Sequence, residues 1–209
     1  MKTDALAAGR LRQLGDGRSE LIVEQATYES SGKGAAIAYA IAPSPFGYLL
    51  VASTKNGICW VGINEAIAHL ESELRRDFPE ATILGEQGEV SDVAGRIAAS
   101  ISDPTVTLDL PLDIRTTPFQ LAVWRELCAI PRGITRSYGE IAQKLARPEA
   151  SRAVGHANGS NPVAIIIPCH RVIGSNGRLT GYRWGVAIKQ RLLEAEGALA
   201  QTSLAAAGG

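Results

Sequence analysis

The segment that most constrains this chain is an apolar run that ends at a proline and is followed at once by reactive side chains. Residues 165–167 are three isoleucines, Pro168 follows, and the sequence continues Cys169-His170-Arg171. β-Branched residues that run into a proline predict a buried strand that stops abruptly. A lone cysteine is most often a small buried hydrophobe. A thiol is nucleophilic as a thiolate, however, and the neighbouring base and cation favour that form, so we expect Cys169 to be a nucleophile.

Length and cysteine content restrict the class of protein. A chain of 209 residues with 45% hydrophobic residues can bury the core of one large or two small domains. Three cysteines without a CxxC pair argue against a disulfide framework and predict a protein of the reducing cytoplasm. With only three histidines we expect no metal site and no cofactor. The first ten residues lack the apolar core of a signal peptide, and no run is long enough to predict a membrane span.

The charge is distributed unevenly, although the formal net charge is zero. Residues 1–114 hold 9 Lys and Arg against 16 Asp and Glu, which gives −7. Residues 115–209 hold 12 against 5, which gives +7. This asymmetry predicts a polyanionic partner for the second half, although two differently solvated faces would produce the same pattern.

The first half has the pattern of an α+β module. Residues 1–34 are rich in small and polar residues and predict a flexible arm. In the module at 35–114, turns separate three short strands at 37–42, 48–53 and 58–63, which predicts an antiparallel meander. Helices at 66–78 and 90–101 and a strand at 106–110 complete it.

The second half, residues 115–198, is predicted to be mainly helical, with a flexible tail at 199–209. Thr117 and Gln120 form a capping box that predicts a helix to about Ala129, and Ser137 and Glu140 form a second box that opens a short helix. A third helix is predicted from 149 to 158. Two short helices across a tight turn are a helix-turn-helix candidate, although such pairs are more often plain packing units.

Two further segments carry candidate site residues. The third helix is almost without bulky side chains, and Arg152, beside Ser151 at its start, is a candidate for insertion into nucleic acid. The loop that contains Tyr182, Arg183 and Trp184 has the composition of a wall around a flat ring. In the final helix, predicted from 186 to 196, Glu196 lies on the apolar face and either reaches solvent or orients His170 as a base towards Cys169.

The run from Asn161 to Ile173 closely resembles the active-site signature of the O6-alkylguanine-DNA alkyltransferases. The residues 181–185, Gly-Tyr-Arg-Trp-Gly, resemble the adaptive-response (Ada) branch of that family most closely. The resemblance covers about residues 36–197 and is most specific at Pro168-Cys169-His170-Arg171. It implies a two-domain α+β fold, with a ribonuclease-H-like first domain and a helical, helix-turn-helix second domain that enters the DNA minor groove. The chain lacks the cysteine-rich zinc domain of full-length members of that branch.

The resemblance also implies roles for individual residues. Cys169 matches the alkyl acceptor, His170 the water-linked base and Glu196 the carboxylate that orients it. Asn161 matches the residue that ties the helix-turn-helix to the active-site turn, and Tyr138 the residue that assists the leaving guanine. The remaining matches are to substrate and DNA contacts: Arg152 to the finger that replaces the extruded nucleotide, with Ser151 beside it, and Tyr182, Arg183 and Trp184 to the loop that closes over the base.

The implied function is direct reversal of DNA damage. The protein is expected to move the alkyl group of O6-alkylguanine, and of O4-alkylthymine, from double-stranded DNA irreversibly to Cys169, as a monomer. The Trp184 indole is expected to restrict the pocket to small alkyl groups. Two alternatives stay open: a cysteine hydrolase with a regenerated thiol, and a non-catalytic lesion-binding or regulatory DNA protein, against which the presence of Cys169 argues.

Overall fold

The computed structural model describes residues 9–13, 19–22, 29, 31–86 and 88–198. In this part of the chain a seven-stranded sheet is packed with six α-helices, and a short two-stranded sheet lies near the predicted nucleophile. The predicted mixed α and β composition is therefore confirmed.

The large sheet is built from the first half of the chain. Its strands are β1 (Gly9–Gln13), β2 (Ser19–Ile22), β3 (Ala36–Ser44), β4 (Gly47–Thr54), β5 (Gly57–Asn64), β6 (Thr82–Glu86) and β7 (Asp109–Leu112). Their order is β2-β1-β7-β5-β4-β3-β6. The antiparallel meander predicted for the three central runs is confirmed in β3, β4 and β5. β6 and β7 run parallel to β3 and β5, respectively.

Part of the predicted flexible arm is ordered. β1 and β2 pair antiparallel inside residues 1–34, and β1 also pairs with β7. Leu11 and Leu21 lie opposite each other and are buried. Strands of five and four residues contain too few alternating apolar positions to be recognised in the sequence. They are revealed by the pairing of β1 with β7 and of β2 with β1. The rest of the predicted arm, apart from residues 29 and 31–34, and the predicted tail at 199–209 lie outside the described residues.

The helices of the first half agree with the prediction, and its last strand does not. α1 (Ile67–Asp77) and α2 (Gly88–Ser102) correspond to the predicted helices. The strand expected at 106–110 is found at 109–112. The side chain of Asp103 accepts a hydrogen bond from Thr105 N at 2.8 Å, and Val106 N donates to Asp103 O. This local turn uses the residues that would have begun the strand.

The second half begins with the two predicted capping boxes, and both are confirmed. α3 (Pro118–Cys128) is capped by Thr117 and Gln120, and α4 (Tyr138–Lys144) by Ser137 and Glu140. A 3₁₀ turn at Pro148–Ala150 delays the start of α5 (Ser151–Gly159) relative to the prediction. α6 (Val186–Ala195) ends one residue before Glu196. Strands β8 (Arg136–Ser137) and β9 (Val172–Ile173) join the start of α4 to the active-site segment.

The three isoleucines are not the predicted strand. They belong to a tight turn, in which Ile165 has φ 71 and Ala164 forms an isolated bridge with Ile167. Asn161 holds the turn, since its Oδ1 accepts from Val163 N at 3.0 Å and its Nδ2 donates to Ile167 O at 2.8 Å. Burial of the run was expected, but burial by itself does not distinguish a strand from a turn whose carbonyls are bonded by a side chain.

The two halves share one hydrophobic core. A single cluster of buried residues includes Leu49 and Trp60 from the sheet and Trp124, Val163 and Trp184 from the second half. Backbone hydrogen bonds also cross between them: Val61 N donates to Pro162 O at 2.9 Å, and Ala164 N donates to Val61 O at 3.2 Å. The segment that leads to Cys169 is therefore fixed against β5. The predicted division into domains at residues 114 and 115 stays a prediction.

Candidate active site

Cys169 begins the 3₁₀ turn Cys169–Arg171, directly after Pro168, and is 5% exposed. Its Sγ receives a hydrogen bond from Asn161 Nδ2 at 3.1 Å. Asn161 follows α5 closely, and its backbone N donates to Asn158 O. One amide side chain therefore connects the end of α5, the isoleucine turn and the thiol, which is the contact that the resemblance implied for Asn161.

His170 and Glu196 are in contact. His170 Nε2 lies 3.0 Å from Glu196 Oε1, and both side chains are buried. Glu196 follows the last residue of α6, so the helix end delivers the carboxylate to the imidazole. His170 Nδ1 is buried and has no hydrogen-bond partner among the described residues. With a proton on Nε2 towards Glu196, Nδ1 is left as an acceptor.

Arg171, which the sequence suggested as a cation that favours the thiolate, pairs with Glu196 in the structure. Its Nε donates to Glu196 Oε2 and its Nη2 to Glu196 Oε1, both at 2.9 Å, while Nη1 donates to Ile130 O at 2.6 Å. The paired guanidinium holds both carboxylate oxygens in one plane. The only signal in the sequence was its position two residues after the cysteine.

Burial and pairing set the charge states of this group. Burial lowers the pKa of His170 and outweighs the raising effect of Glu196. Burial raises the pKa of Glu196, but His170 and Arg171 together outweigh it, and the pKa of the carboxyl lies well below its usual range. At neutral pH the pair is therefore a neutral imidazole beside a carboxylate, which is the state required of a base.

Cys169 rests as a thiol. Burial raises its pKa, although the hydrogen bond from Asn161 and the charge of Lys189 act in the opposite direction. Lys189 on α6 is fully buried and donates to Val172 O at 2.6 Å and Thr180 O at 3.2 Å. Burial lowers the pKa of Lys189 to about 8, although Cys169 acts to raise it. Activation of the thiol therefore needs a base.

The other two cysteines, Cys59 and Cys128, are buried in the hydrophobic core. Burial raises the pKa of Cys128 to about 12 and raises that of Cys59 further. Cys59 Sγ donates to Ala52 O at 3.5 Å. Both contribute to the hydrophobic core.

Two tyrosines are among the predicted site residues. Tyr138, at the start of α4, accepts a hydrogen bond from Thr180 Oγ1 at 3.0 Å through its hydroxyl. Tyr182 is half-buried, and its hydroxyl has no partner among the described residues. Burial, followed by the proximity of Cys169, raises the pKa of Tyr182 well above its ordinary value.

The start of α5 lies at the surface. Arg152 is exposed and forms no ion pair or hydrogen bond with another described residue, and Ser151 is half-buried. α5 packs against α3 and α4, and Trp124 Nε1 donates to Ala157 O at 2.8 Å. The small residues of α5 allow this close packing while Arg152 points away from the core.

The structure gives Arg183 and Trp184 contacts other than those predicted. Arg183 Nη2 donates to Asp77 Oδ2 at 2.6 Å and to Glu73 Oε2 at 3.2 Å, both on α1. Trp184 is 5% exposed and packs edge-to-face on Trp60. The predicted contact of these two side chains with a base stays a prediction. These partners are more than 100 positions away in the sequence, where spacing rules do not reach.

A cavity lies behind the imidazole rather than at the thiol. Its lining includes Ser100, Arg132, His170 and Glu196, and does not include Cys169. We therefore do not assign it to the alkylated base.

Neither a metal cluster nor a membrane helix is found in the described part of the chain. No three His, Cys, Asp or Glu side chains there are grouped so as to hold a metal ion. No helix there has the length and apolar character needed to cross a membrane.

Comparison with known proteins identifies the family. Residues 118–198 match the family model of the 6-O-methylguanine DNA methyltransferase DNA-binding domain. The methylated-DNA–protein-cysteine methyltransferase of Methanosarcina acetivorans is 41% identical over 159 residues, which are 76% of this chain and 97% of that protein. The chain belongs to the methylated-DNA–protein-cysteine methyltransferase family. The resemblance identified in the sequence is confirmed.

Other members of the family match over different shares of their length. The bifunctional transcriptional activator/DNA repair enzyme Ada of Escherichia coli is 41% identical over 169 residues, 81% of this chain and 48% of Ada. The chain thus spans about half the length of that relative. The crystal structure of the Mycobacterium tuberculosis O6-methylguanine methyltransferase superposes with a TM-score of 0.64 at 38% identity, over 78% of this chain and 93% of that one. The same protein in complex with DNA gives a TM-score of 0.58.

Proposed function

We propose that the protein repairs DNA by direct reversal, moving the alkyl group of O6-alkylguanine to Cys169. The observation that carries the proposal is the buried Cys169 turn, with a neutral His170 fixed by Glu196 beside the thiol. Relatives of which this chain covers nearly the whole length bear the name methylated-DNA–protein-cysteine methyltransferase.

The site activates the thiol through its imidazole. Glu196 and Arg171 fix the ring so that Nδ1 accepts the proton of Cys169, through the intervening water that the resemblance implies. The positive charge of Lys189 and the hydrogen bond from Asn161 both favour the thiolate. These contributions offset the burial that otherwise keeps Cys169 protonated.

The transfer is a displacement at the alkyl carbon. The thiolate forms the S–C bond, the C–O6 bond breaks, and its electron pair stays on the guanine oxygen. The departing base takes up a proton, and the Tyr138 hydroxyl is the donor we assign. The product is a thioether, which offers water no carbonyl to attack, so the thiol is not regenerated and each molecule acts once.

Access to the lesion requires extrusion of the nucleotide, because O6 inside a duplex is out of reach of a buried thiol. We assign α4 and α5 to a helix-turn-helix that binds the minor groove, with Ser151 and Arg152 at the DNA and Arg152 in the gap left by the base. Exposed, unpaired Arg152 at the start of a helix of small residues supports this assignment. Tyr182 is assigned to the wall of the base pocket.

Several finer features belong to the same proposal. They are a ribonuclease-H-like first domain, action on O4-alkylthymine, a monomeric state and a cytoplasmic location. The transcriptional activity named for Ada is not assigned to this chain.

Two other functions make different predictions. A non-catalytic lesion-binding or regulatory DNA protein has no need of a cysteine next to the hydrogen-bonded group formed by His170, Arg171 and Glu196. A cysteine hydrolase would use the same residue types but would regenerate its thiol and turn over on esters or peptides.

The direct test is the intact mass of the protein after incubation with duplex DNA that carries O6-methylguanine. We expect the gain of one methyl group per chain, mapped to Cys169, and an equal loss of lesion. A methyl group on Cys59 or Cys128, or repair of many lesions by each molecule, contradicts the proposal. An unmodified protein that binds the lesion favours the non-catalytic alternative.

A further inference from the structure

A group of five side chains, which we call the Arg183 clamp, attaches the loop after Cys169 to the first half of the chain. It consists of Arg183 and Trp184 in the loop, Glu73 and Asp77 on α1, and Trp60 on β5. Arg183 forms ion pairs with both carboxylates, and Trp60 Nε1 donates to Asp77 Oδ2 at 2.8 Å. The guanidinium carbon lies 4.9 Å from the centre of the Trp184 ring and 5.8 Å from that of Trp60.

The clamp is closely packed, which limits movement of the loop. The two indoles meet edge-to-face with centroids 5.2 Å apart. They fit only because residue 62 is glycine: a Cβ there would lie 2.4 Å from Trp60 Cη2 and 2.7 Å from Trp184 Cη2. Since Trp60 is fully buried in the sheet, Trp184 is seated against a rigid element.

The backbone connects the Arg183 clamp directly to a residue of the proposed reaction centre. Tyr182 immediately precedes Arg183, packs against the hydrophobic cluster that contains Cys169, and has a buried hydroxyl. Burial and then Cys169 raise the pKa of this tyrosine. Residues 175–178, in the earlier part of the loop, are all exposed. The position of Tyr182 beside the thiol therefore depends on the anchoring of the residue that follows it.

We propose that Glu73 and Asp77 on α1 are specificity-determining residues, which act through Arg183 to hold Tyr182 against Cys169 and so limit the size of the alkyl group accepted. This inference rests on the proposed alkyl transfer. The ion pairs of Arg183 and the packing of Trp184 on Trp60 restrain the loop, and a closely packed wall does not readily expand for a bulky alkyl group. The first half of the chain then takes part in substrate choice without touching the substrate.

The test compares Asp77→Asn with wild type in single-turnover reactions on one duplex sequence that carries either O6-methylguanine or O6-benzylguanine. The ratio of benzyl to methyl transfer rate constants is the readout, because DNA binding and thiol activation affect both substrates alike. We expect the ratio to rise by about tenfold, with the methyl rate constant changed by less than about threefold. Arg191→Ala is the matched control: its side chain also joins the two halves, through Pro45 O and the Phe46 ring, but has no contact with the clamp.

A second variant and a double mutant keep the test independent of folding effects. Arg183→Gln is expected to raise the ratio as Asp77→Asn does. The double variant should raise it no further than Arg183→Gln alone, because that substitution already removes the ion pair with Asp77. An unchanged ratio in both single variants, or an equal rise in Arg191→Ala, overturns the inference. Absence of methyl transfer in the wild type would instead contradict the proposed function.

Discussion

Glu196 receives hydrogen bonds from both His170 and Arg171, and its side chain is almost fully buried. A carboxylate removed from water needs such partners, since an unpaired buried charge is strongly destabilising. Arg171 neutralises the charge, and this leaves Oε1 oriented towards the imidazole. The residue after α6 is therefore both a structural anchor and the group that selects the tautomer of His170.

Replacement of Glu196 should slow alkyl transfer without weakening DNA binding. We expect Glu196→Gln to lower the single-turnover rate constant by about 10²-fold or more, because a wrongly oriented imidazole is a poor base. Glu194→Gln is the control, since Glu194 is exposed and its side chain accepts a hydrogen bond from Gln190 on the same helix. Rate constants are measured with methylated duplex, and affinity with unmodified duplex. An unchanged rate constant in Glu196→Gln would remove the carboxylate from the mechanism.

The pH dependence of transfer should follow the lowered pKa of His170. A base with a lowered pKa is unprotonated at neutral pH and is lost as the pH falls through that lowered value. We expect a rate constant that is nearly constant from about pH 7 to 8 and falls on the acid side, with a midpoint below the ordinary imidazole pKa of about 6.5. Single-turnover rates across this range provide the measurement. A tenfold rise per pH unit above 7 would instead indicate direct ionisation of Cys169 without a base.

At the level of elements, the turn between α4 and the following 3₁₀ turn closes with an alanine in a position that favours glycine. Ala146 has φ 55, its N donates to Gln143 O, and Arg147 N donates to Ala142 O. These two bonds are those of a Schellman motif, in which the left-handed residue is usually glycine. The tight turn is therefore formed at a cost in backbone strain.

Ala146→Gly should stabilise the protein by roughly 0.5–1 kcal/mol. The backbone strain removed from the folded state is larger than the stability lost because glycine makes the unfolded chain more flexible. Ala153→Gly is the opposite control, because Ala153 is exposed within α5, and glycine there should cost about 1 kcal/mol. Denaturant unfolding of the three proteins measures both differences. A loss of stability in Ala146→Gly would show that the residue has packing contacts that outweigh the strain.

Substitution of Arg152 tests the proposed DNA-binding role of α5. If it fills the space of an extruded nucleotide, Arg152→Ala should slow repair of duplex DNA by about tenfold or more, because unstacking costs a few kcal/mol. Reaction with free O6-methylguanine base, which needs no extrusion, should be nearly unchanged. Arg75→Ala, which removes an equally exposed charge from α1, should leave both reactions near wild type. Equal losses on both substrates would indicate damage to the site rather than loss of a wedge.

At the level of the whole molecule, the uneven charge acts partly within the chain. Four arginines of the basic half bind groups of the acidic half: Arg125 binds Leu21 O, Arg132 binds Ser100 O, Arg183 binds Asp77 and Arg191 binds Pro45 O. The surplus of positive charge in the second half is therefore not all available to a polyanion. Exposed side chains such as Arg152 stay available for the proposed contact with DNA.

The shared core predicts a single cooperative unfolding transition. Val61 is fully buried in the sheet and bonds through its backbone to the segment before Cys169. Val61→Ala should cost about 2 kcal/mol and lower one common transition temperature, seen alike by far-UV circular dichroism and by exposure of the Cys169 thiol. Calorimetric and van't Hoff enthalpies should agree. Two separate transitions, with only the first shifted by the substitution, would show that the halves unfold independently.

The sequence alone determined the features that depend on neighbours a few residues apart. Both capping boxes, the meander of β3 to β5 and the helices around them follow from side chains three residues apart and from turn residues between apolar runs. The contact between His170 and Glu196 was one of two alternatives that the sequence left for a carboxylate on the apolar face of the last helix, and the family resemblance implied it.

Only the tertiary structure decided the contacts that join distant parts of the chain. β1 depends on its pairing with β7, β2 depends on its pairing with β1, and the isoleucine turn depends on the side chain of Asn161. The roles of Arg171 and Arg183 depend on which acceptors the fold brings close to them. An arginine has five N–H donors, and the sequence does not indicate which acceptor they bind. Periodicity describes the face that an element buries, whereas the identity of the group across from it is set by packing.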